Sequence, residues 1–474
     1  MRKLSYLLVL ASLLIIGNEG KAQKGYSIDI TIDGLTDSTA YLAYYYGKGQ
    51  YYRDTTKING QGEMNFKGSD TLEHGMYSLI IGQRKWFDFM LDNQTISLKT
   101  DTSYTILNMK VKGSEETKIF YEYLAFLNER QATAKKLSEK KKTGTDREKK
   151  DADAALKNLD TEVKNYIALF HDRHQGSFTS NFIYAVEYPN VPEAPKNEDG
   201  STDSTFSFRY FKAHYFDNYD FTDERLLRTT TFHDKIVFYV NKLTVPDPDS
   251  LIISLDYILG NAKQDPDLFK YALTHFTSYF ERSENMGMDA VFVHLAKNYF
   301  MNGMAKEWFT DKQLEKLSER ANALDPLLIG KKAPNIVVKD TAQKEFLELY
   351  AVEADFTVVY IWSPECGHCK TSTPKLKTLY DKMKDKGVEV FAVGNEFENK
   401  EWIKFIKKHD LNFINGSDGE SFQSNFRSLY DVYSTPQTYL LDKDKKILSK
   451  KMSIESLENI LEYFIEERDN SNEK

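Results

Sequence analysis

A near-continuous apolar run, residues 356–362, stands four residues before Cys366-Gly367-His368-Cys369. Such a run is typical of a strand that is buried on both faces of a sheet. A helix is predicted from Lys370 to about Met383, and a second apolar run follows at residues 388–393. Alternation of buried strands with helices predicts an α/β domain, which we place at residues 329–474.

Cys366 and Cys369 are the two cysteines of the 474-residue chain, so no other thiol can rearrange a disulfide with them. Unpaired backbone N–H groups at a helix N-terminus favour a thiolate and lower the pKa of the first cysteine. We expect Cys366 to attack a disulfide and Cys369 to resolve the mixed disulfide. His368 lies between them, where a partly protonated imidazole would stabilise the thiolate.

Several stretches of the C-terminal part resemble the thioredoxin superfamily, and the resemblance covers roughly residues 329–474. They are the run from Trp362 to Lys370, Pro374, the Thr435-Pro436 pair, and Gly330-Lys331-Lys332-Ala333-Pro334, which resembles the exported TlpA/ResA-type branch. The resemblance implies that Pro374 kinks the active-site helix and that Pro436 is a cis-proline facing the dithiol. It also implies that the Thr435 backbone pairs with an extended substrate peptide. Trp362 is predicted as a second substrate contact.

The motif departs from the family pattern at two positions. Glu365 stands where tryptophan is common, and its negative charge would oppose the thiolate. Tyr360 stands where many thioredoxins bury an aspartate, so the usual proton acceptor for Cys369 is missing, and Glu396 is a candidate substitute.

Other uses of the cysteines and histidines are disfavoured. Zinc binding would need remote histidines as further ligands, and haem attachment needs a histidine where the chain has Lys370. A peroxidase of the peroxiredoxin type would have proline at the position of Val359. His171 and His174 lie near a predicted helix end, where histidines often only complement the helix dipole. No metal site and no cofactor are therefore predicted.

The part before residue 329 carries no recognisable chemical motif. Residues 23–113 alternate apolar and polar side chains, as in residues 26–33, which predicts a small antiparallel β-rich domain. Ser114 can cap a helix, and residues 114–328 are predicted to form a mostly helical accessory domain. The arrangement of the three regions resembles multidomain exported oxidoreductases of Bacteroidetes-type bacteria.

Residues 1–22 are typical of a secretory signal peptide, with Arg2 and Lys3 before an apolar stretch and a plausible cleavage site after Ala22. Because no cysteine follows the apolar stretch, a lipobox is excluded, and we expect a periplasmic protein. The net charge of −8 argues against nucleic acid as a partner.

The sequence therefore predicts a multidomain, exported thiol-disulfide oxidoreductase with a CXXC redox-active centre that reduces disulfides of periplasmic proteins. Its substrates would be protein or small-molecule disulfides, and a membrane electron donor is expected. Two alternatives stay open. The same dithiol could serve an oxidase or isomerase, or the chain could be a binding or assembly module with a vestigial redox domain. The oligomeric state is left open.

Overall fold

The computed structural model describes residues 25–36, 38–103, 106–396 and 399–472. The predicted signal peptide, residues 1–22, lies outside them. The chain divides into two compact units, Met1–Val237 and Phe238–Lys474. The fold is multidomain, with β-sheets first, then a helical region, then a mixed sheet of thioredoxin-like type.

In the first unit, the described strands form two sheets, ordered β4-β1-β7-β8 and β3-β2-β5-β6. The strands are β1 Tyr26–Asp33, β2 Thr39–Tyr46, β3 Gly49–Lys57, β4 Glu63–Gly68, β5 Gly75–Ile81, β6 Arg84–Leu91, β7 Thr95–Asp101 and β8 Lys110–Lys112. The alternating residues of β1 are buried on one face, as predicted. Pairing is antiparallel except between β1 and β7, where the long intervening chain allows a parallel pair.

Helices follow the sheets. They are α1 Glu115–Thr143, α2 Asp146–Arg173, α3 Phe178–Val186, α4 Phe206–Ala213 and α5 Thr231–Lys242. The hydroxyl of Ser114 accepts a hydrogen bond from the Thr117 backbone N–H and so caps α1, as predicted. Thr145 and Glu148 form a capping box at the start of α2. A helical hairpin is therefore specified by local signals at both of its N-termini.

The second unit begins with the rest of the helical region, α6 Pro248–Ala262, α7 Pro266–Glu281, α8 Asp289–Leu295 and α9 Asp311–Leu324. α8 contacts the mixed sheet through an ion pair with a buried lysine. Lys450 is 2% exposed, and its ammonium group pairs with Asp289 and donates to the Leu327 carbonyl. Within the described residues, no helix is both long and apolar enough to cross a bilayer.

The mixed sheet has the order β10-β9-β13-β12-β11-β14-β15. Its elements are β9 Val337–Asp340, β10 Phe346–Glu348, β11 Phe356–Trp362, α10 Gly367–Met383, β12 Val388–Gly394, α11 Asn399–Lys408, β13 Ile414–Ser417, α12 Asn425–Leu429, β14 Gln437–Asp442, β15 Ile447–Lys450 and α13 Ile454–Asn472. β11 is buried along its whole length and pairs in parallel with β12 and antiparallel with β14. The predicted buried strand is thus the centre of the domain.

Candidate active site

The end of β11 and the start of α10 place the two cysteines. Cys366 is the N-cap residue of α10, and its sulfur accepts a hydrogen bond from the Cys369 backbone N–H at 3.3 Å. Cys366 is partly exposed, whereas Cys369 is fully buried in the core between sheet and helix. Both are free thiols. One sulfur is therefore accessible and the other is held behind it.

The loop before β14 completes the site from a distant part of the chain. The Cys366 thiol donates a hydrogen bond to the Thr435 carbonyl oxygen at 3.0 Å, although the two residues are 69 positions apart. The Thr435–Pro436 peptide bond is cis. The structure thus brings Thr435 to the cysteine pair, a placement for which the sequence offered only the resemblance.

The two thiols differ in acidity. Burial raises the pKa of Cys366, but hydrogen bonds to its sulfur, above all those involving Cys369, outweigh this effect and hold the pKa below the ordinary thiol value. Burial raises the pKa of Cys369 to about 12, and its interaction with Cys366 adds to the increase. Cys366 is therefore the more acidic thiol of the pair, and Cys369 stays protonated at neutral pH.

This asymmetry predicts the pH dependence of alkylation. In a Cys369→Ser variant, the rate at which iodoacetamide alkylates Cys366 should rise with pH, because the thiolate is the form that reacts. The midpoint of this rise should lie below about 8.5, the pKa of an ordinary thiol. In a Cys366→Ser variant, Cys369 should react slowly and its rate should still be rising at pH 10. N-acetylcysteine amide is the control. A Cys366 profile whose midpoint pH equals that of the control, or exceeds it, would contradict the assignment.

A cluster of hydroxyl groups lies beside the buried cysteine. The Tyr360 hydroxyl is 2.8 Å from the Ser372 Oγ and 3.0 Å from the Thr373 Oγ1. Ser372 and Thr373 follow Cys369 by one helical turn and so share its face of α10. Burial raises the pKa of Tyr360 to about 12. Tyr360 was noted in the sequence as a replacement for the usual aspartate, but the hydroxyl cluster around it was missed.

A polar cleft of 760 Å³ opens beside the dithiol. Its lining includes Ser363 and Glu365 from the loop before Cys366, Glu396 from the segment after β12, and Thr435 from the loop before Pro436. Burial raises the pKa of Glu396, and the charge of Glu365 adds to the increase. Glu396 thus lies in the cleft beside the motif.

The remaining predicted site residues have different surroundings. The side chain of His368 is exposed, and its carbonyl accepts hydrogen bonds from Thr371 and Ser372. Trp362 is fully buried against Trp402. The structure places Trp362 beneath the site, where its side chain offers a substrate no surface.

Comparison with known protein families covers most of the chain in three segments. A model of the AhpC/TSA family matches residues 329–450. Two models described as domains of unknown function match the rest, DUF4369 at residues 26–120 and DUF5106 at residues 130–325.

Curated relatives match the C-terminal part. The thiol-disulfide oxidoreductase ResA of Bacillus thuringiensis subsp. konkukian (strain 97-27) is 32% identical over 137 residues, which are 28% of this chain and 76% of that protein. ResA of Oceanobacillus iheyensis is 25% identical over 139 residues, 28% of this chain and 71% of that protein.

Solved structures give similar matches. A domain of a possible thiol-disulfide isomerase from Cytophaga hutchinsonii is 37% identical and covers 31% of this chain and 98% of its own, with a TM-score of 0.28. A thioredoxin-like protein from Bacteroides caccae is 20% identical and covers 59% of this chain and 99% of its own, with a TM-score of 0.44. Taken with the ResA identities and the AhpC/TSA match, the dithiol at the start of α10 identifies the chain as a member of the ResA/TlpA-like thiol-disulfide oxidoreductases, with a C-terminal thioredoxin-like domain.

Proposed function

We propose that this oxidoreductase is a reductase of protein disulfides that uses Cys366 as nucleophile and Cys369 as resolving thiol. The observation that supports it most is the asymmetry of the pair. Cys366 is accessible and has a lowered pKa, whereas Cys369 is buried and has a pKa raised to about 12. A nucleophilic cysteine needs an accessible sulfur with a lowered pKa, whereas a resolving cysteine can stay buried and protonated until the mixed disulfide has formed.

The reaction is two successive exchanges. The Cys366 thiolate attacks one sulfur of the substrate disulfide, so that a Cys366–substrate bond forms and the other substrate sulfur leaves as a thiolate and takes up a proton. Cys369 then loses its proton and attacks the Cys366 sulfur, which releases the second substrate thiol. The substrate gains two electrons and the pair becomes a disulfide.

Proton transfer from Cys369 needs a neighbouring acceptor because its pKa lies far above neutral. We propose Glu396 for this role, since it lines the cleft beside the motif and burial raises its pKa toward a value suited to accepting a proton. The Tyr360 hydroxyl has a pKa raised to about 12, so it would stay protonated. Through Ser372 and Thr373 it would instead orient the first turns of α10.

The reduction potential of the pair tests the direction of the reaction. We expect a value near that of thioredoxin, about −270 mV, after equilibration against thiol buffers and alkylation of the remaining thiols. A value of about −120 to −180 mV would show an oxidase or isomerase instead. If no reversible disulfide forms, the chain is not a redox enzyme and the binding-module alternative holds.

We also propose that the protein acts in the periplasm. The support is the signal-like composition of residues 1–22 together with the absence of a cysteine after the apolar stretch. A reductase in that compartment must be re-reduced after each cycle, because its own disulfide is the product of turnover. A membrane electron donor is therefore part of the proposal.

A further inference from the structure

A second cleft of 570 Å³ adjoins the cleft beside Cys366 at the loop before Pro436. Arg427 and Tyr433 line both clefts. The second cleft is completed by α9, through Lys316, Glu319 and Arg320. A helix of the accessory region thus forms a wall of a surface that is continuous with the redox site.

Arg320 anchors this loop to α9. Its guanidinium group forms an ion pair with Asp431, which is only 4% exposed. The same guanidinium lies 5.2 Å from the centre of the Tyr433 ring. A charge-assisted hydrogen bond and a cation–π contact from one side chain fix the position of the loop at two places.

Tyr433 is nevertheless 79% exposed. It stands two residues before Thr435, whose carbonyl contacts the Cys366 thiol. An aromatic ring that is held in place by a cation and still open to solvent is typical of a binding surface, where tyrosine contributes much contact area at low entropic cost.

The charged side chains along the two clefts favour a polypeptide as the bound substrate. The cleft beside Cys366 contains Glu365, Glu396 and Lys400, and the cleft beside α9 contains Lys316 and Glu319. Groups of both signs can pair with main-chain amides and with charged side chains of a polypeptide. A small disulfide at Cys366 would occupy only the first cleft, whereas an extended chain advances about 3.3 Å per residue and reaches the second.

We propose that the substrate site continues from Cys366 past Tyr433 onto α9, where it binds an extended polypeptide segment next to the target disulfide. The accessory region thereby contributes to the choice of protein over small-molecule substrates. The inference rests on the proposed function. It adds that the protein recognises the polypeptide segment beside the disulfide as well as the disulfide itself.

Two substrates with the same reacting bond test the inference. One is a pool of ten-residue peptides, randomised around a central cysteine that carries a mixed disulfide with 2-mercaptoethanol. The other is N-acetylcysteine amide with the same mixed disulfide. Reduced full-length protein is mixed with each, and the second-order rate constant is measured. The parent should react faster with the peptide pool.

Tyr433→Ser should lower the rate constant for the peptides about tenfold, the effect expected for an aromatic anchor, and that for the amide by less than about twofold. Tyr433→Phe should keep most of the peptide rate because it keeps the ring. Arg320→Gln should lower the peptide rate without changing the reduction potential, which a general disturbance of the site would change. Lys312→Ala, on the exposed side of α9, is the matched control and should equal the parent.

Equal losses with both substrates, or no loss with either, would overturn the inference while leaving the reductase activity established. A parent that reacts no faster with the peptides than with the amide would overturn it as well. A parent that reacts with neither would refute the proposed function and with it this extension.

Discussion

Replacing Cys369 by serine is expected to turn the enzyme into a trap that stays covalently bound to its substrates. Cys366 keeps its exposure and the hydrogen bond from the backbone N–H of residue 369, and the serine hydroxyl can still donate to its sulfur, so the first exchange should still occur. Without the resolving thiol the mixed disulfide cannot be released. Turnover should fall by about 10³-fold or more, the scale seen when a member of a covalent mechanism is removed.

The measurement is non-reducing electrophoresis and mass spectrometry after incubation with a disulfide-containing protein. The variant should carry one substrate molecule per chain at Cys366, and dithiothreitol should release it. Cys366→Ser is the matched control, because it removes the accessible sulfur and leaves the buried one, and it should form no adduct. Adducts at Cys369 in that control would reverse the assignment of the two roles.

Asp289→Ala is expected to destabilise the second unit by about 3 kcal/mol, because removal of one partner from a buried ion pair leaves an uncompensated charge. Lys450 is 2% exposed, and without Asp289 it loses its ion pair while it keeps the hydrogen bond to the Leu327 carbonyl. For a unit of this size the midpoint of thermal unfolding should fall by roughly 6–12 °C. Lys375→Ala, which breaks an exposed ion pair with Glu455, is the control and should cost less than about 1 kcal/mol.

The pH dependence of the stability loss distinguishes an uncompensated charge on Lys450 from a packing defect. Burial lowers the pKa of Lys450, and Asp289 partly opposes that effect. Without Asp289 the folded state binds the proton of Lys450 less strongly than the unfolded state, so stability rises with pH. The deficit of Asp289→Ala relative to the parent should therefore shrink as the pH approaches 10. A deficit that is constant with pH would assign the loss to packing alone.

Local patterns in the sequence were sufficient for much of the fold. The apolar run at residues 356–362 coincides with β11, and Ser114 caps α1 where a cap was predicted. The placement of Cys366 at the N-terminus of a helix was also predicted correctly. Each of these depends on residues within a few positions of one another, so periodicity and capping preferences report them directly.

Contacts between distant residues could not be predicted in this way. Arg320 and Asp431 are 111 positions apart, and no local pattern joins them. The Tyr360 cluster depends on which face of β11 meets which face of α10, which is fixed only when strand and helix pack. The burial of Trp362 has the same origin, since its neighbour Trp402 comes from α11. Sequence reasoning thus singled out the two cysteines but missed the hydroxyl cluster at Tyr360 and the ion pair of Arg320 with Asp431.

The helical hairpin of the first unit offers a practical attachment point. The buried residues of α1 are confined to its first two turns, at Thr117–Tyr121, while Gly144 and Thr145 form the turn at the far end. A helix of 29 residues spans roughly 43 Å. A genetically encoded affinity tag inserted after Gly144 would stand at that distance from the base of the hairpin. Unlike a label directed to an added cysteine, it would add no third thiol to a chain that has two.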